Sequence, residues 1–189
     1  MKKAFLALAG VALLTGMYSF VPGTEKKAAA TLTVNIEKSR VDWVASKKSD
    51  FHTGSFPVKS GEVMVDGGKL MGGKFILDLA NMKVTDGAGD RLNTHLKSGD
   101  FFDVAKFGEA VYEITGVNYT AANSADVSGN LTVKGTTVPV NFKAMIRNSD
   151  DKGFFAQAFI TMDKNLVGIT YGAGNVSNDV QLAVHLFAK

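Results

Sequence analysis

From Thr31 onward, apolar and polar residues alternate in short runs. Val138, Val140, Phe142, Ala144 and Ile146 share one parity, with Asn141, Lys143 and Met145 on the other. Val176, Val180, Leu182, Val184 and Leu186 stand opposite Ser177, Asp179, Gln181 and His185 in the same way. Leu131 and Val133 alternate with Asn130, Thr132 and Lys134, Phe75, Leu77 and Leu79 with Asp78, and Val41, Trp43 and Ala45 with Asp42 and Ser46. Successive side chains of a strand point to opposite faces, so this period of two predicts antiparallel strands with one dry and one wet face. Between the runs lie turn formers: Asp66-Gly67-Gly68, Asp86-Gly87, Ala122-Asn123-Ser124, Gly135-Thr136-Thr137 and the segment from Asn148 to Gly153. Roughly eight strands on short connections predict an all-β domain, either a sandwich or a closed up-and-down barrel. No internal repeat or low-complexity linker divides the chain, which reads as one domain over 31–189.

One stretch departs from the alternation: "HLKSGDFFDVAKFGEA", His95 to Ala110. Leu92 and Leu96 have helical spacing, which predicts a helix from Asp90 to Ser98 with Gly99 as its stop and His95 on a wet face. Phe101 and Phe102 follow at once, flanked by Asp100 and Asp103. An aromatic pair with an acidic outer edge can close or gate one end of the strand domain, or simply pack over it.

The N-terminus changes the picture of composition. Lys2 and Lys3 precede an uncharged, largely apolar run from Ala4 to Val21, then Pro22-Gly23 and the small residues Ala28-Ala29-Ala30. This is the layout of a secretory signal peptide over 1–30, cleaved after Ala30, which makes the expected location the periplasm or the medium. A retained anchor is the competing reading, because the run is about as long as a bilayer is thick. The whole chain carries a formal charge of +3, but residues 1–30 hold four Lys against one Glu. Without them 17 basic residues (21 less 4) face 17 acidic ones (18 less 1), so the domain is neutral. A neutral domain without a basic stripe offers nucleic acid no electrostatic footprint. With no Cys, the chain has no disulfide, thiolate nucleophile or thiolate metal site.

Candidate chemistry is sparse. "GKLMGGK", Gly68 to Lys74, completes the glycines and lysine of a phosphate-binding loop, but Phe75 stands where Ser or Thr must reach Mg²⁺. Its setting between two strands reads instead as a glycine-rich hairpin. His52, His95 and His185 fall in three different elements with no metal-binding spacing, so no metal site is expected. His185 reads as solvated, and His52 as a polar contact at a site mouth. Asp150-Asp151 reads as a turn, and no nucleophile–base pairing can be argued from spacing.

"LNTHLKSGDFFDVAKFGEAVYEI" (Leu92–Ile114), followed by "SGNLTVKGTTVPVNFKA" (Ser128–Ala144), closely resembles the YceI-like family, also called the polyisoprenoid-binding family. "HTGSFPVKSGEVMVDGGKLMGGKFILDL" (His52–Leu79) and "FITMDKNLVGITYG" (Phe159–Gly172) agree with it in order, so the resemblance covers nearly all of 31–189. It implies a lipocalin-like, eight-stranded antiparallel barrel with a short helix near one end. It also implies an exported binding protein that holds an isoprenoid or other long apolar chain for transport, storage or sequestration. Three positions differ from the family pattern: Gly108 where Pro is usual, Lys164 where Arg is frequent, and Val167 where an aromatic is frequent. The differences at Lys164 and Val167 bear on the ligand's head group.

The residues expected to contact such a ligand are Trp43, Phe75, Leu77, Leu131, Val133, Phe142, Leu182 and Val184 from the inward faces, with Phe101, Phe102, Tyr112 and Ile114 from the family block. An apolar lining holds a chain without chain-specific hydrogen bonds. The same residues could equally fill a solid core. Expected partners are the apolar lipid itself and no cofactor, with transient membrane contact for lipid exchange and a homodimer both left open. An enzyme acting on an isoprenoid lipid and a ligand-free interaction barrel are the alternatives.

Overall fold

The alternating runs become strands whose dry faces turn onto one interior. The computed structural model describes residues 29–150 and 153–189; the expected leader falls almost wholly outside them, as does Asp151. The chain runs through β1 (Ala30–Thr33), β2 (Arg40–Lys47), β3 (Asp50–Asp66), β4 (Lys69–Asp78) and a two-residue β5 (Lys83–Val84). The helix α1 (Gly89–Lys97) follows, and then the long strands β6 (Glu109–Ala121), β7 (Ser124–Val133), β8 (Thr136–Asp150) and β9 (Gly153–Asp163). A 3-10 turn (Lys164–Val167) and β10 (Val176–Ala188) complete it.

Neighbouring strands pair antiparallel in the order β3-β2-β10-β9-β8-β7-β6-β4, and β4 pairs back onto β3. The sheet is therefore a closed barrel of eight strands, with β1 and β5 as extra strands on β3. Closure removes the free edges that a sandwich would leave. The seam between β3 and β4 carries register shifts at Val58/Ser60 and Met64/Val65, and such bulges bend a strand around a barrel. β1 continues the line of β2: it pairs with β3, and Thr33 exchanges backbone hydrogen bonds with Lys189. The buried Ser39 fastens the intervening loop, its Oγ donating to Phe187 O (3.1 Å) and accepting from Phe187 N (2.9 Å).

Turn residues sit where backbone geometry demands them. Gly67 and Gly68 both have positive φ (57° and 76°) in the β3–β4 hairpin, so the Gly-rich stretch is a hairpin and not a phosphate loop. Lys134 and Gly135 (φ 50° and 76°) do the same between β7 and β8. This corrects the expectation for Lys134. It is a left-handed turn residue whose Nζ donates to Gly99 O (2.8 Å), rather than a plain position on a wet strand face.

The helix spans Gly89–Lys97, one residue earlier than expected at each end. Gly99 does not stop it in a left-handed conformation. The chain leaves through an extended Ser98 (φ −73°, ψ 173°), whose N–H and Oγ both donate to His95 O.

Candidate functional site

The barrel is hollow. A cavity of about 200 Å³ runs inside it, walled almost wholly by carbon. Along β10 the wall extends from Val180 to Leu186, six steps or about 20 Å at the usual rise of a strand. Phe75 and Leu77 reach it from β4, Tyr112 and Ile114 from β6, Leu131 and Val133 from β7. Phe142 from β8, Leu182 and Val184 from β10, and Phe102 beyond α1 complete the expected residues that share this wall.

Two expected contacts lie elsewhere. Trp43 is buried (5% exposed) among Val41, Phe56, Leu79 and Met82, where its ring lies against Gly54. A Cβ at Gly54 would collide with that ring and with Lys83 O, so the indole is spent on packing β2 against β3 and β5. Phe101 points away from the cavity into a ring cluster with His95 (5.0 Å between centroids) and Tyr171 (5.0 Å). Adjacent residues seldom face the same way, and of the pair only Phe102 is on the wall, edge-on to Phe56 at 5.5 Å.

Tyr112 puts a phenol into the apolar wall, and its hydroxyl is already committed: it donates to Val140 O at 2.9 Å. Burial pushes this phenol well above its ordinary pKa, so it stays a neutral donor. Its ring crosses Gly129, where any Cβ would strike it, and packs on Phe142 at 5.5 Å.

The helix segment is tied over one barrel end by polar contacts. Asp86 accepts from Thr53 N (2.7 Å), Ala88 N (2.8 Å) and His52 Nδ1 (3.1 Å). The two backbone donors, more than the imidazole, hold its carboxyl below the ordinary carboxylate range. His52 is thus a polar contact of this tether, on the same face of β3 as Gly54 and Phe56. His95 keeps a part-exposed position, as expected, but is partnered there: Nε2 meets Asp100 Oδ2 at 3.0 Å, and its ring stands edge-on to Tyr171 at 4.8 Å. His185 is likewise partnered, with Gln157 Nε2 at 3.1 Å and Asp42 at 3.5 Å. Asp100 stays exposed on the outer edge as expected, whereas Asp103 is mostly covered and pairs with Lys106. Val176 faces the loop glycine Gly172 rather than the cavity, because the β10–β2 register shifts between Val176 and Val180. Among the described residues no cluster of three His, Asp or Glu could hold a metal ion.

Sequence reasoning missed one whole wall. β9 supplies Phe154, Ala156, Ala158, Ile160 and Met162, opposite the outward Phe155 and Phe159. The alternation there is hidden because both faces are apolar; the signal was the small Ala156 and Ala158 at every second position. Lys164, which the family resemblance ties to the ligand's head group, is one of the buried polar residues and borders the cavity.

Comparison with known proteins agrees with this architecture. A family model described as YceI-like domain matches residues 21–188. A UPF0312 protein of Pseudomonas putida strain GB-1 is 33% identical over 194 residues, covering 97% of this chain and 95% of its own. A UPF0312 protein of Pseudomonas fluorescens strain SBW25 is 32% identical over 196 residues, covering 98% and 96%. Among solved structures, BcnA of Burkholderia cenocepacia superposes with a TM-score of 0.72 at 21% identity, over 82% of this chain and 99% of that one. A polyisoprenoid binding domain from Saccharophagus degradans, implicated in plant cell wall breakdown, gives 0.67 at 16% identity over 84% and 97%. At these identities the two structures speak for the shared fold.

Proposed function

The chain belongs to the YceI-like family, and from that premise we propose that it is a lipid-binding protein holding an isoprenoid-type or other long apolar chain inside its barrel. The observation that carries this reading is the elongated cavity with an apolar wall. Ten methylenes buried there would contribute roughly 8 kcal/mol at about 0.8 kcal/mol each, enough to offset much of the cost of association and of ordering the chain. The Saccharophagus domain's description as polyisoprenoid binding supports the same class of ligand. The role in this reading is carriage, storage or sequestration, which the almost wholly apolar wall and the committed Tyr112 hydroxyl support. Mass spectrometry of an organic extract of purified protein tests this. One unmodified lipid per barrel is expected; an extract without lipid, or one in which added lipid is converted, counts against a carrier.

Export belongs to the same proposal. β1 begins at Ala30, so cleavage after Ala30 would leave Thr31, Leu32 and Thr33 paired with Met64, Val63 and Glu62. N-terminal sequencing of protein from the soluble extracytoplasmic fraction should begin at Thr31. An intact Met1 in the membrane fraction would replace cleavage with an anchor.

A further inference from the structure

We infer that the connection between β9 and β10 is a docking surface for a lipid bilayer, with Leu166 and Tyr171 entering the headgroup layer at the barrel end that the helical segment covers. This rests on the lipid-binding reading above and adds to it the surface across which lipid is exchanged.

The connection covers 164–175. Its one charged residue, Lys164, is buried, with Nζ turned back onto Ile169 O (3.1 Å) and Tyr171 O (3.3 Å). The side chains left in solvent are therefore uncharged, and two of them are large and mostly apolar: Leu166 (57% exposed) and Tyr171 (44%). Thr170, Ala173 and glycines make up most of the rest. A single exposed leucine is ordinary on a protein surface. A whole exposed connection with no charged side chain in water is a different matter, since a quarter or more of a soluble surface is usually charged. The other connections at this end do carry charge: Lys48 between β2 and β3, Asp100 after α1, and Lys134 between β7 and β8.

Two observations point to a bilayer as the occupant. Val167 and Ile169, buried beside the exposed Leu166 and Thr170, line the cavity. One short stretch of chain is thus apolar toward the cavity and uncharged toward solvent, and a hydrocarbon passing it meets no exposed charge. At the rim stands Lys48, whose backbone N donates to Asn175 O (3.0 Å); it is exposed and forms no ion pair among the described residues. An apolar tip with a tyrosine, flanked by an unpaired lysine, matches the layers of a membrane surface, where aromatic rings sit at headgroup level and lysines meet phosphates. Tyr171 also makes the contact to the helical segment, 5.0 Å from Phe101 and 4.8 Å from His95, so docking and the cover over the cavity meet at one ring.

The test uses the full chain and vesicles of phosphatidylethanolamine and phosphatidylglycerol, with or without bromine on the acyl chains. Leu166→Trp places an indole at the tip, and Phe159→Trp places one on the outer face of β9, at a side chain that is 65% exposed. Trp43 is the chain's own indole, and the wild type supplies its background. Bromine quenches only an indole that reaches the acyl boundary, so a leader that tethers the chain to the vesicle does not affect the comparison. On brominated vesicles the added emission of Leu166→Trp should fall by about half or more, and that of Phe159→Trp by less than about a tenth. Tyr171→Trp, where a ring already stands, gives the same reading should Leu166→Trp not fold. Leu166→Asp should slow transfer of anthranilate-labelled farnesol from vesicle to barrel several-fold, with the amount bound at equilibrium unchanged. Equal quenching at 159 and 166, quenching at neither, or unslowed transfer by Leu166→Asp overturns the inference and leaves the lipid-binding reading intact. A dimer in sedimentation that Leu166→Asp dissociates assigns the surface to a second copy and overturns it too. Quenching at 166 alone, with no labelled farnesol taken up, supports the docking surface and overturns the lipid-binding reading.

Discussion

Filling the cavity should stabilise this protein, whereas filling a packed core would not, and Ala158→Leu separates the two. Ala158 is 2% exposed on β9, faces the cavity, and pairs with Val184 on β10 and Ala144 on β8. Leucine adds three carbons at a site that already borders about 200 Å³ of empty space. At about 0.8 kcal/mol per buried carbon the gain is roughly 2.4 kcal/mol, and fixing the leucine rotamer returns about 0.5–1 kcal/mol. The lipid-free variant should therefore be more stable than the lipid-free wild type by about 1.5 kcal/mol, or roughly 3–6 °C in melting midpoint for a domain of this size. Both proteins must be stripped first, because bound lipid raises the wild-type midpoint by mass action. The same leucine narrows the tube, so lipid recovered per barrel should fall several-fold. In a filled barrel the added bulk would cost about 1–3 kcal/mol. A lower midpoint with unchanged lipid content would refute the hollow interior, and with it the reasoning from cavity to ligand.

Three further outcomes follow from the geometry. Phe102 faces the cavity and Phe101 packs on Tyr171, so in the double variant Phe101→Ala/Phe102→Ala a gate predicts a large rise in lipid off-rate with a modest loss of midpoint, and a fixed cover predicts several kcal/mol of destabilisation; an unchanged off-rate with a large drop in midpoint excludes the gate. Phe142→Asp should unfold the barrel or abolish lipid retention by placing an unpaired charge on the inner wall, while Asn141→Asp on the exposed face should shift the midpoint little; the reverse result would mean a strand register off by one residue. Asp86 has its carboxyl held below its ordinary 3.8, so its tether is fully present above that pH and is lost as pH falls through the lower folded value. The midpoint gap between wild type and Asp86→Asn should shrink as pH drops below 3.8, and a gap independent of pH would remove the ionised carboxylate from the tether.

The sequence by itself determined the strands, their inward faces and the helical insert, because each is written in local periodicity. Alternation in Val138–Ile146 and Val180–Leu186 places those residues inward whatever the strands pair with. Turn chemistry at Gly67-Gly68 is equally local, since only certain residues tolerate positive φ. Resemblance to a family added the barrel and the class of ligand.

Tertiary structure decided the rest. Closure depends on β4 returning to β3, a pairing that no single strand encodes and that separates a barrel from a sandwich. Hollowness depends on Ala144, Ala156 and Ala158 meeting across β8 and β9, where Ala144 stands opposite Ala158; small residues leave space only when register brings them together. β9 was obscure because Phe155 stacks on Phe187 outside the barrel at 4.1 Å, so its outer face is as apolar as its inner one. Phe101 and Phe102 are alike in sequence, and only the packing of Tyr171 and His95 on one and Phe56 on the other divides their roles. The burial of Lys164 is not written in the local pattern: it follows from the loop beyond it folding back and presenting two carbonyls to its tip. Burial is a property of what surrounds a residue, and for these positions the surroundings come from distant parts of the chain.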